Sequence, residues 1–124
     1  MQRIFRPVLL PLAALGLLLA TAAGCGRDED HTPPAGMGSI MLRNNSGDDI
    51  HVYFNGALAS NRADYANTTP YDLAPGSYRV SLTERRGWRS WSGFVDVLEK
   101  RLTFMDVQVD LQNSYAYDVV IFFD

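Results

Sequence analysis

The sequence is short of the residues from which enzymes build reactive centres. Among 124 residues it has one cysteine, Cys25, and two histidines, His31 and His51. A lone cysteine excludes an internal disulfide framework and any multi-cysteine metal site. Two histidines leave few ligands for a transition metal, which needs three or four. No polybasic run exists that would clamp an anionic membrane. No internal repeat is visible, and after residue 38 no stretch keeps the 3.6-residue period of an amphipathic helix.

What is present is ordinary globular material: 47% hydrophobic, 20% charged and 11% aromatic residues. That balance excludes whole-chain disorder, collagen-like repeats and a coiled coil. Much of the apolar content sits in the first 24 residues. Arg3 and Arg6 make a basic start, Val8–Leu19 is uncharged and rich in Leu and Ala, and small residues lead to Cys25. This is the tripartite pattern of an export signal. The alternative, a retained membrane helix of roughly 20 apolar residues, is interrupted by Pro7 and Pro11. Ala22–Ala23–Gly24–Cys25 resembles the lipobox of bacterial lipoproteins, with Ala22 where that family favours Leu. The resemblance implies removal of residues 1–24, acylation of Cys25 with diacylglycerol and palmitate, and a bilayer as partner. Several acyl chains, at about 0.8 kcal/mol per buried methylene, anchor a protein durably. The other reading of Cys25 is a buried free thiol. In that family an Asp after the cysteine marks inner-membrane retention, so Gly26 leans towards the outer membrane.

Loss of residues 1–24 leaves nine basic side chains against fourteen acids, a net charge of −5. An acidic chain of this kind lacks the basic footprint that nucleic acid requires. Gly26–Gly38, reading GRDEDHTPPAGMG, is charged and then rich in Pro and Gly. With Cys25 it is expected to form a disordered tether over 25–38, reaching at most about 45 Å.

From Ser39 to Asp124 the period is two. Ile40 and Leu42 oppose Met41 and Arg43, and Ile50, Val52 and Phe54 oppose His51 and Tyr53. Tyr78, Val80 and Leu82 form a third row, Trp91, Val95 and Val97 a fourth, and Met105, Val107, Val109 and Leu111 a fifth. Tyr115–Phe123 is a last strand, apolar on both sides over Val119–Phe123. Asn55–Gly56, Ala74–Pro75–Gly76, Arg85–Arg86–Gly87 and Leu98–Arg101 supply turns, while Ala57–Thr69 has no clear assignment. Short alternating strands at roughly ten-residue spacing predict an all-β fold. The expectation is a single small antiparallel β-sandwich of six to seven strands over 39–124.

Three segments resemble the PEGA domain, a small β-sandwich of bacterial envelope proteins. They are His51–Val52–Tyr53–Phe54–Asn55–Gly56, then Thr69–Pro70 with Leu73–Ala74–Pro75–Gly76–Ser77–Tyr78–Arg79–Val80, then Gly87–Trp88–Arg89–Ser90–Trp91–Ser92–Gly93. The Pro-Gly-x-Tyr element also occurs in transthyretin-like sandwiches. Asn45–Ser46–Gly47–Asp48–Asp49 replaces the acidic-proline motif that names the family. The resemblance implies an envelope location, in the periplasm or at the cell surface, and a non-catalytic role.

Candidate chemistry is sparse. Asp49 and His51 share a strand face, but two ligands are fewer than a metal site requires. Ser77 and Ser92 lack a nucleophile-elbow pattern, and only His51 could serve them as base. No catalytic, metal or cofactor residues are therefore assigned. The densest unusual patch is Arg85, Arg86, Trp88 and Arg89, and Phe94 and Phe122 are two further apolar residues of outward parity. One reading is a partner contact: the Arg/Trp patch for an envelope protein or polymer, since Trp and Arg concentrate in interface hot spots, and Trp88, Phe94 and Phe122 for another envelope protein or a second copy. The other has Trp88 capping the open end of the sandwich, with Val120 and Phe122 covered by the Ala57–Thr69 loop or the Trp88/Phe94 side. The expected function is a lipid-anchored binding or scaffolding module. The alternative is a small lipoprotein hydrolase or metal-dependent enzyme.

Overall fold

A computed structural model describes residues 31–124, so the signal-like segment and Cys25 lie outside the described residues. Eight strands follow in order: β1 Gly38–Asn45, β2 Ile50–Phe54, β3 Ala57–Leu58, β4 Thr68–Leu73, β5 Gly76–Glu84, β6 Ser90–Val97, β7 Leu102–Val109 and β8 Tyr117–Phe123. They form two four-stranded sheets, β4-β1-β7-β8 and β3-β2-β5-β6, packed as an all-β sandwich. Among the described residues no helix is long and apolar enough to cross a membrane.

The expected alternation is what closes the core. Ile40 and Leu42 of β1, Ile50 and Val52 of β2, Val80 and Leu82 of β5, Val95 and Val97 of β6, and Met105 and Val107 of β7 are all essentially buried. Residues two apart on a strand share a face, so each pair drives one apolar row between the sheets. Asn55 (φ 51°) and Gly56 (φ 87°) both take positive φ, as a type I′ hairpin turn demands, and join β2 to β3. The two-residue β3 and the Pro70-bearing β4 are the strands absent from the six alternating rows, which is why eight strands exceed the expected six to seven. In β6 the indole of Trp91 lies across Gly93, where a Cβ would sit 2.6 Å from the ring. Only glycine lets the half-buried Trp91 fold down onto its own strand.

Four expectations need correction. The sandwich is not antiparallel throughout, because β1 and β7 pair in parallel from Ser39↔Leu102 to Asn45↔Gln108. The chain reverses at each of six connections between them, so two neighbours an even number of reversals apart must run the same way. Alternation shows which face a residue takes and says nothing of its strand's partner. Leu111 lies past the end of β7 and is 93% exposed, while Val109 is only half-buried. Tyr115 precedes β8 and is exposed. Finally, the tether expected over 25–38 is fixed from His31 onwards. His31 Nε2 lies 2.8 Å from Asp72 Oδ1, Met37 N donates to the Pro34 carbonyl, and Lys100 N donates to that of Met37. Burial pulls the Asp72 carboxyl up, but hydrogen bonds from Ser39 and His31 outweigh it and hold Asp72 below its ordinary value.

The outer face of the β4-β1-β7-β8 sheet carries a second apolar cluster of buried Met41, Leu102 and Phe104. Phe122 stacks on Phe104 with ring centroids 5.1 Å apart. The Arg43 guanidinium sits 4.5 Å from the Phe104 centroid and 3.4 Å from Asp106. Phe122 therefore packs against Phe104 of its own sheet; Phe94 lies outward on the opposite sheet, paired with Arg79.

Candidate functional site

Strand register gathers four loops at one pole of the sandwich. Residues Asn45 and Ile50, Glu84 and Ser90, and Val109 and Tyr117 all end or begin strands there. The loops are residues 46–49, 59–67, 85–89 and 110–116. They are rich in Asn, Ser, Asp, Gly, Tyr and Arg, the composition that lets loops turn sharply and still offer hydrogen bonds and aromatic surface.

Two polar nodes hold these loops together, the buried Asn44 and the half-buried Asp49. Asn44, on β1, donates from Nδ2 to the carbonyls of Asp48 and Ala63, each at 2.8 Å, and accepts at Oδ1 from the backbone and hydroxyl of Ser46. Its backbone bonds Ala66 and Asn67. One amide thus fastens the first loop to the second. Asp49 fastens the second to the third: Oδ1 accepts from Tyr65 N at 2.9 Å, and Oδ2 faces Arg85 Nη1 at 3.3 Å and Arg62 Nε at 3.6 Å. The Tyr65 amide, opposed by burial and aided by Arg62 and Arg85, holds the Asp49 carboxyl below its ordinary value. Ser90 N donates to the Tyr115 carbonyl at 3.0 Å and joins the fourth loop.

On this scaffold Trp88 stands 81% exposed at the tip of the β5–β6 hairpin, with Tyr65, Leu111 and Tyr115 exposed on the adjoining loops. Trp88 does not cap the sandwich. Of the residues singled out in the sequence, Trp88, Arg85, Arg86 and Arg89 share this hairpin. Arg85 is committed to Asp49 and Arg89 to Glu84 at 3.6 Å. Arg86 is exposed and has no ion-pair partner among the described residues. Phe94 and Phe122 lie away from the hairpin on opposite outer faces of the two sheets. Tyr65 was missed because its segment has no period, whereas Leu111 and Tyr115 continue the alternation of β7 and β8 and so read as strand residues, although each sits in a turn-rich loop on the same side of the strand order.

The Asp49–His51 pair is not free for a metal, since the Asp49 carboxylate already serves two arginines and an amide. His51 instead borders an open cleft with Leu58, Asn61, Arg62 and Asp64. Among the described residues no group of three His, Cys, Asp or Glu side chains could hold a metal ion. Among the described residues the pole offers flat aromatic surface and one guanidinium, that of Arg86, without an ion-pair partner, which suit recognition by contact. No protein-family model matches the chain, and comparison with curated proteins finds no match.

Proposed function

We propose that this chain is an exported, lipid-anchored protein of the bacterial envelope that binds a protein or polymer partner through its loop pole and catalyses nothing. The observation that carries the binding role is Trp88, exposed at the tip of a hairpin whose base is pinned by Arg85–Asp49 and Arg89–Glu84. A large aromatic held out on a braced hairpin loses little conformational entropy when a partner covers it. The anchoring role rests on the signal-like amino terminus, the lipobox-like Ala22–Cys25 and the PEGA-like segments. Through Gly26 the proposal leans towards the outer membrane.

The two halves are tested separately. Labelled palmitate should be incorporated by the wild-type chain and not by Cys25→Ala, which should leave the membrane fraction. A Cys25→Ala protein that stays in the pellet with its amino terminus intact would refute lipid anchoring. A photo-crosslinking amino acid at position 88, in living cells, should give discrete adducts that the same probe at position 96 does not. Adducts equal at the two positions, or none at either, would refute the loop pole as the contact surface.

A further inference from the structure

Sheet edges expose unpaired backbone groups, and folded proteins blunt them with short strands, proline, charge or cover. Three of the four edges here are blunted. β3 is two residues long, β4 carries Pro70 at its centre, and β6 has Asp96 and is closed at Ser90 by a bridge to Ala116. The fourth, β8, is different. Its one charge, Asp118, sits at the loop end, and Val119–Phe123 holds no proline, glycine or charge.

The direction of its free groups follows from the bonds at the strand's two ends. Asp124 N donates to the Leu102 carbonyl and Asp110 N to that of Ala116. In an antiparallel ladder bonded residues alternate, so Asp118, Val120 and Phe122 turn their backbone towards β7. Val119, Ile121 and Phe123 turn theirs outward.

We infer that β8 pairs with β8 of a second copy, antiparallel about a two-fold axis at Ile121, to join two four-stranded sheets into one of eight. That register sets Ile121 opposite Ile121, Val119 opposite Phe123 and Val120 opposite Phe122, so every central contact is apolar. The one like-charged pair, Asp118 with Asp124, is offset by Arg101, which lies 3.3 Å from the Asp124 carboxylate. Pairing covers Val120, now 56% exposed, and Phe123, 47% exposed, and extends the Phe104–Phe122 stack across the joint. An isologous joint of this kind closes on itself and leaves no open edge on that side of either sheet. The inference rests on the sheet edge alone and is independent of lipidation and of the loop pole.

The test is sedimentation equilibrium of the purified full chain in detergent at tens of micromolar, with amide hydrogen exchange on the same sample. The wild type should sediment as a dimer, and the amides of Val119, Ile121 and Phe123 should be protected. Val120→Lys should halve the mass and release those three amides while its circular dichroism is unchanged. Phe94→Lys, on the edge strand of the other sheet, should leave the dimer intact. A monomeric wild type, a dimer that survives in folded Val120→Lys, or fast exchange of the three amides in the wild type would each overturn the proposal.

Discussion

Asn44 is a polar side chain in a place that the alternation of β1 reserves for an apolar one. Its parity follows Ile40 and Leu42, yet its amide is fully hydrogen-bonded to two loops, so its burial carries no unpaired group. Asn44→Ala strands two carbonyls and a hydroxyl, and should cost roughly 2–4 kcal/mol in denaturant melts, from bonds worth about 1 kcal/mol each and the desolvation of orphaned partners. A loss below about 0.5 kcal/mol, the usual scale of surface sites, would show that the loops hold without it. Asp49 behaves differently because it titrates. Its folded value lies below the ordinary 3.8. Its stabilisation is therefore complete above that value and is lost as pH falls through the depressed one. Melting temperature should stay level from pH 7 to about 5 and fall below about 4, with a shallower fall in Asp49→Asn. An equal fall in both proteins would remove Asp49 from the loop brace.

At the scale of the strand, period two was the legible signal. It placed Leu82 inward and Thr83 outward, and the structure buries Leu82 fully and Thr83 only in part. Leu82→Ala should cost about 2–5 kcal/mol, while Thr83→Ala should cost about 0.5 kcal/mol or less. Equal losses would mean that the apolar row of β5 does not carry the core. Pairing was not legible, because β1 reaches β7 across more than sixty residues and no local pattern encodes that meeting. The parity of Tyr117, Val119 and Ile121 against Asp118, Val120 and Phe122 was legible too, while Tyr115 and Phe123 at the ends escape it. The partner of Phe122, Phe104, was not, since both residues read as ordinary strand positions until the register sets them side by side. The fixed stretch from His31 was hidden for a different reason. Pro- and Gly-rich composition reports weak local preference, whereas a histidine reaching Asp72, 41 residues away, is a tertiary event.

For the whole molecule, the sandwich divides its labour between two poles. Met37, Gly38 and the 98–101 turn close one pole, where the chain enters from its amino-terminal side. The other collects the four loops braced by Asn44 and Asp49 and presents Trp88. The sequence showed the Arg–Trp hairpin but not its company, since nothing local places Tyr65 and Tyr115 at the same end. Trp88 is held out for contact and is no part of the fold, while Trp91, three residues on, packs half-buried against the core; that contrast is the central claim. Chemical denaturation of Trp88→Ala and Trp91→Ala tests that claim most directly. Trp91→Ala should cost about 2 kcal/mol or more, since a half-buried indole loses part of the roughly 3–5 kcal/mol of a fully buried one. Trp88→Ala should change stability by about 0.5 kcal/mol or less, as at an exposed site. Comparable losses in the two variants would make Trp88 a structural residue and contradict the account.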